Sequence, residues 1–223
     1  MAKALIWSPV AIVIIWCAFA FNPSTYDVAT RQFYTGREYS LPELATLASF
    51  LIAAGLAAIL GFRSWRTARP TILVIGYMAF SLLAFLVAME EGQWGQPLLE
   101  YQVPQAILSQ NMQGEMTLHN VESLQGRDGF FYLAFALAAL SLHLPSMPFL
   151  PRDIWRAVRP DWRLLPIVVT VLVLGLAKSA DHFLGNPFHP LQPIRWSSEM
   201  AEFLIGYWAM AYCGLKLLEI REL

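Results

Sequence analysis

Apolar residues in this chain come in blocks close to the roughly 20 residues that a helix needs to cross a bilayer core. Six blocks stand out, at 4–21, 41–62, 70–89, 129–144, 164–178 and 196–218. In lipid every backbone N–H and C=O must be bonded inside the protein. The expected fold is therefore all-α, a polytopic helical bundle formed as a single integral membrane domain over 1–223. Composition agrees. Only 14% of the residues are charged and 57% are hydrophobic, against about 25% charged in soluble domains. The fourth and fifth blocks are short before polar or proline residues intervene. Pro145, Pro148 and Pro151 close the fourth, and Pro166 falls in the first turn of the fifth, where its missing N–H is tolerated. Lys3, an apolar run and Ala18-Phe19-Ala20 imitate a secretory signal; we read this segment as a retained signal anchor. Cys17 and Cys213 both lie within blocks, which gives no disulfide framework. No basic patch with interleaved aromatics points to nucleic acid.

Charge is distributed unevenly between the connections. Arg63, Arg66 and Arg69 are expected in one short loop, and Arg152, Arg156, Arg159 and Arg163 in another two spans later. With Lys3, Lys216 and Arg221 they set an N-in, C-in orientation by the positive-inside rule. Among the acids only Asp153, Asp161, Glu219 and Glu222 fall on that inner side. The rule makes no demand on acids, so their concentration on the outer side calls for a second reason.

The outer loop 90–128 is too long to be an idle connection. It opens with a Gly/Pro/Gln stretch, Gly92 to Pro97, and predicts a short helix from about Asn111 to Leu124. On that helix Glu115, His119 and Glu122 occupy i, i+4 and i+7 and share a face. A carboxylate one turn from an imidazole suits a divalent metal, an acid–base pair, or simply a solvated helix face. Glu90-Glu91 closes the third block, where adjacent carboxylates oppose the helix dipole. One of the two is expected to face headgroup water and the other to project inward. Glu199 and Glu202 open the last block, behind Ser197 and Ser198 as candidate caps. Glu202 lies about fourteen residues from Lys216, roughly 21 Å at helical rise, which puts it below the outer boundary. An ionisable residue there is a functional candidate, with Lys178, a metal or His119 as its expected partner. Lys178, Asp181 and His182 end the fifth block; a snorkelling Lys178 is the plainer alternative. His143 is expected to pack near the inner boundary, His189 to be an ordinary loop residue, and the eight tryptophans to be mostly boundary anchors.

Two segments, Glu90-Glu91-Gly92-Gln93-Trp94-Gly95-Gln96 and Asn111-Met112-Gln113-Gly114-Glu115-Met116-Thr117-Leu118-His119-Asn120, resemble paired signatures in a group of uncharacterised bacterial inner-membrane proteins. The resemblance covers about twenty residues, the layout of spans and an acidic start to the last helix. It implies that the two segments act together and brings no activity with it. Better-known site patterns are missing: Glu115 and His119 are not spaced as Glu-x-x-His, and there is neither His-Glu-x-x-His nor Gly-x-Ser-x-Gly.

The functional expectation is a membrane-embedded enzyme of the bacterial inner membrane acting on a lipid, isoprenoid or quinone-like substrate. Glu115, His119 and Glu202 are its candidate catalytic groups, and these three with Glu90 and Glu91 its candidate ligands for Zn, Fe or Mn. Gln93, Trp94, Gln113 and Asn120 would shape the pocket, supported by Glu122, Lys178, Asp181, His182 and Glu199. The alternative is a non-catalytic accessory subunit of a respiratory or photosynthetic complex, docking through the outer loop. An ion-coupled transporter ranks third, because no carboxylate falls at mid-membrane and the halves are not inverted copies.

Overall fold

The computed structural model describes residues 2–20, 22, 24–25, 40–105, 127–184 and 192–221. Among these residues the chain is helical, with no strand. Helix α1 spans Ala2–Ala20, α2 Leu41–Arg66, α3 Thr71–Glu91, α4 Gln96–Leu99, α5 Asp128–Ser141, α6 Arg152–Val158, α7 Leu165–Phe183 and α8 Gln192–Arg221. Short 3₁₀ turns at Gln93–Gly95 and Trp162–Leu164 lead into α4 and α7. Three helical stretches are long and apolar enough to cross a membrane: Leu41–Arg66, Thr71–Glu91 and Trp162–Phe183. Two shorter apolar helical stretches accompany them, Trp7–Phe19 and Asp128–Ser141. Helix α8 has the length, at 30 residues, but Glu199, Glu202 and Lys216 interrupt its apolar run.

Two helix pairs, α2 with α3 and α5 with α7, flank α8, and α1 lies against α7 and α8. The α2 start is set locally. Ser40 accepts from Glu43 N–H at 3.3 Å while Glu43 accepts from Ser40 N–H at 2.7 Å, a reciprocal capping box. Apolar burial gives little drive between helices already in lipid, so close packing of small residues does more of the work. Ala53 and Ala57 of α2 are fully buried, and Ser81 of α3 donates to the Ala54 carbonyl at 2.8 Å. α5 and α7 also approach closely, backbone to backbone. A Cβ on Gly129 would stand 2.8 Å from Ser179 Oγ and 2.9 Å from Ser179 N. Apolar side chains including Ile72, Ile75, Leu82 and Leu83 of α3 and Ile12, Ile14 and Ile15 of α1 point away from the bundle, as lipid-facing surfaces do.

Several boundaries differ from expectation. α2 runs on through Arg66, so Arg63 and Arg66 belong to its last turn and only Arg69 lies in the connection. Cations are favourable at a helix C-terminus, so the helix continues through them. Arg156 belongs to α6, a helix hidden from sequence reading by the surrounding prolines. α7 continues past Lys178 to Phe183, and α8 starts four residues before the expected boundary at Trp196. The segment expected to be helical at 111–124 lies outside the described residues, as do 26–39.

The tryptophans divide in a way their number did not predict. Trp7, Trp65 and Trp162 are exposed as anchors, but Trp16, Trp155 and Trp208 are buried at 4%, 2% and 4% exposure. Shape decides this: Trp208 lies flat on Tyr212 and edge-on to Phe135, filling the space between α5 and α8. His143 is buried as a packing residue, its Nδ1 2.9 Å from the Ala139 carbonyl.

Gly129→Ala is expected to lower unfolding stability in detergent by about 1–3 kcal/mol, because the new methyl meets backbone that cannot yield freely. At the other end of the bundle Asp161 accepts from Arg163 Nε at 2.9 Å, Arg163 Nη2 at 2.6 Å and Arg163 N at 2.8 Å. Side-chain hydrogen bonding by Arg163 holds this carboxyl below its ordinary value. A depressed folded value means stabilisation present above the unfolded value of about 3.9 and lost as pH falls through the folded one. Asp161→Asn should therefore lower the unfolding temperature at neutral pH, and the difference from wild type should shrink as the pH falls through the folded value.

Candidate functional site

The last turn of α3 carries Glu90 and Glu91, both partly buried. The chain then turns sharply. Gln93, Trp94 and Gly95 adopt positive φ of 49°, 55° and 78°. Two successive non-glycine residues in the left-handed region cost about 1–2 kcal/mol each, and such conformations persist where the surroundings over-determine them. Here the turn folds Trp94 back over its own helix, and its indole Nε1 donates to Glu90 Oε1 at 2.7 Å. The Tyr101 hydroxyl lies 3.4 Å from the carbonyls of both Gln93 and Trp94. Glu90 is thereby tied to the turn. Glu91 is the inward residue: its electrostatic neighbours are Glu202, Glu199 and Glu43 from other helices, together with Glu90. The sequence left this choice open because one residue of register equals 100° of helix rotation.

Across the bundle, α5 and α8 are joined by two polar rungs. Ser198 Oγ donates to Asp128 Oδ2 at 2.7 Å, and one turn further along both helices Tyr132 OH donates to Glu202 Oε1 at 2.6 Å. Asp128 and Tyr132 are i and i+4, as are Ser198 and Glu202, so each pair lines one face. Lys178 of α7 completes the outer rung, with its ammonium against both Asp128 Oδ2 and Ser198 Oγ. Glu199 lies within Coulombic range of Glu202, Glu43, Lys178 and Asp128. One end of the bundle thus holds Glu43, Glu90, Glu91, Asp128, Glu199 and Glu202 around Lys178 and Tyr132, an excess of carboxyl groups over cations.

The structure therefore brings together Glu90, Glu91, Trp94, Lys178, Glu199 and Glu202 from the expected set. Tyr132 donates to Glu202 and Asp128 pairs with Lys178; of the partners expected for Glu202, which were Lys178, a metal or His119, the last lies outside the described residues. Exposed His182 packs edge-on against Phe130 and Phe183, and Asp181 beside it is partly buried. Gln93 contributes its carbonyl to the Trp94 turn. Gln113, Glu115, His119, Asn120 and Glu122 lie outside the described residues, as does His189. Among the described residues no three His, Cys, Asp or Glu side chains stand close enough to hold a metal ion. Asp128, Tyr132 and Glu43 escaped the sequence reading. The signal available for the first two was the matching i, i+4 spacing of polar groups on the helices that meet, Asp128/Tyr132 and Ser198/Glu202.

Lys178→Met should expose the importance of the outer rung. Removing one partner of a buried ion pair costs about 3–5 kcal/mol. The two side chains here retain 16% and 31% exposure, so about 1–3 kcal/mol is expected after allowing for solvent. Adding Asp128→Leu should restore much of the loss, since the stranded carboxylate is then gone. Unfolding of the two singles and the double in detergent measures the coupling; strictly additive losses would mean the pair does not interact.

No family model, curated protein or solved structure matches this chain.

Proposed function

We propose that the chain is a six-span protein of a bacterial inner membrane, with both termini inside, and that its outer-leaflet end is an acid–base site for a lipid-soluble substrate such as a lipid, an isoprenoid or a quinone-like compound. The observation that carries this reading is the Tyr132–Glu202 hydrogen bond of 2.6 Å, which joins two packed helices beside further carboxyl groups. A phenol held against a carboxyl group is a proton relay: the phenol protonates a substrate oxygen and is recharged by the protonated form of Glu202, or the two act in reverse. A purely structural bridge would need one carboxyl at this place. Glu91, Glu199 and Glu43 add acid groups beyond that need, and protons or a divalent cation can answer them. A Zn, Fe or Mn ion held through Glu115 and His119 with Glu202 and Glu91 would supply Lewis-acid chemistry or an activated water. The proposed orientation is supported by the gathering of Arg69, Arg156 and Lys216 around one cleft and by the positive-inside rule.

The second reading, an accessory subunit, is favoured by the outer rung alone. Lys178, Asp128 and Ser198 tie α5, α7 and α8 together, which is what a structural subunit requires, and the outer loop would then be the surface that meets other chains.

Elemental mass spectrometry of detergent-purified protein, run beside mass spectrometry of the co-purifying lipids, separates the two. The enzyme reading expects a near-stoichiometric transition metal, lost in Glu115→Gln and His119→Ala, and an isoprenoid or quinone-like lipid depleted in Tyr132→Phe. Metal-free samples with unchanged lipid content, in variants that remain folded, would sink it in favour of the accessory subunit.

A further inference from the structure

The opposite end of the bundle holds a cleft of about 230 Å³ bordered by Arg69, Tyr77, Asp153, Arg156, Lys216 and Glu219. Three cations reach it from three separate elements: Arg69 from the α2–α3 connection, Arg156 from α6 and Lys216 from α8. The positive-inside rule accounts for arginines on this side. It does not require them to converge on one concavity, nor to bury a lysine. Lys216 is only 4% exposed, and its ammonium meets Glu219 at 2.7 Å, a carboxylate whose side chain is 51% exposed. Neither Arg69 nor Arg156 enters a salt bridge or side-chain hydrogen bond among the described residues. Their donors are available to a ligand.

The walls are held in place before any ligand arrives. Tyr77 of α3 donates to the Ala157 carbonyl at 3.2 Å and Tyr212 of α8 donates to the Val158 carbonyl at 2.8 Å. Two phenols from different helices thus hold the end of α6, while Trp155 anchors it from within at 2% exposure. Fixing the donors in advance removes much of the ordering cost of binding. The volume is below the roughly 300–1,000 Å³ of pockets for drug-sized ligands, so a compact polar group fits better than an acyl chain. The three cations outnumber the two bordering acids, which favours an anion. Exposed Trp65 and Trp162 lie on segments at this same end, with Arg66 over the Phe62 ring at 5.5 Å and Arg159 over Trp162 at 5.3 Å. Aromatic and arginine side chains of this kind mark headgroup level.

We infer that this cleft binds a phosphoester oxyanion, clamped by the guanidinium groups of Arg69 and Arg156 and met from the bundle side by Lys216. Guanidinium groups suit this role because their planar forks match phosphate oxygens. The anion has two sources, the headgroup of an acidic phospholipid or a soluble phosphate compound, and they can be told apart. Calorimetric titration of the full chain in neutral detergent would use three probes: short-chain phosphatidylglycerol, short-chain phosphatidylcholine and inorganic phosphate. Phosphatidylglycerol should bind and phosphatidylcholine should not. Arg69→Gln with Arg156→Gln should weaken binding by about tenfold or more per guanidinium removed. Arg66→Gln with Arg152→Gln removes the same net charge from exposed positions outside the cleft and should leave affinity within about threefold, since exposed charges act weakly at a distance. Binding of phosphatidylglycerol without inorganic phosphate assigns the site to lipid. Binding of both assigns it to the phosphate group itself, from either source. No binding of either, or equal losses in the two double variants, overturns the inference.

Discussion

Everything in this bundle depends on how α8 is held. It touches α1, α2, α5 and α7, and it carries Ser198 and Glu202 near one end and Lys216 near the other. Within lipid the apolar drive that packs soluble cores is largely absent, so position must come from close contact and from polar bonds. On the α2 side, Gly206 lets the backbone lie against Phe50 and Ser49. On the α5 side, the edge-on contact of Phe135 with Trp208 and the two polar rungs do the same work by different means. Rotation of α8 by one residue would break both rungs and turn Lys216 away from the cleft it shares with Arg69 and Arg156.

Segregated charge follows from this arrangement. Carboxyl groups gather where α3 ends and α5 and α8 begin, while cations gather where α2 ends, α6 sits and α8 finishes. The first group is expensive to assemble, because like charges repel and low-dielectric surroundings strengthen the repulsion. The turn at Gln93–Gly95 adds backbone strain at the same place. Strain and charge concentrated together are features that proteins retain at working sites, and this is the physical basis of the proposed acid–base site.

Sequence legibility tracked the physics of each element. The long apolar helices α2 and α3 were readable because length and hydropathy alone define them, and their ends were misjudged only where arginines continued a helix rather than stopping it. Glu202 was readable as unusual because about fourteen residues of helix to Lys216 are shorter than a hydrocarbon core. Its link to Tyr132 was not readable, since that depends on which faces of α5 and α8 meet. The same limit applies to Glu91 over Glu90 and to the buried tryptophans Trp16, Trp155 and Trp208, where rotation about the helix axis decides between lipid and core. Short α6 was hidden because its flanking prolines read as loop, although Pro151 is well placed to start a helix.

In the proposed six-span arrangement, the brevity of α5 has a consequence for the surrounding lipid. Its 14 residues cover about 21 Å at helical rise, against a hydrocarbon core of about 30 Å. For α5 to cross, the bilayer beside it must thin, or the flanking chain must enter the headgroup layer. At the Asp128 end, either response draws the water boundary inward beside Asp128 and Tyr132. Hydrophobic mismatch would then serve the polar rungs, wetting one flank of the bundle while the longer α2 and α3 keep the other flank at full thickness, and it would favour residence of the protein in thinner membranes.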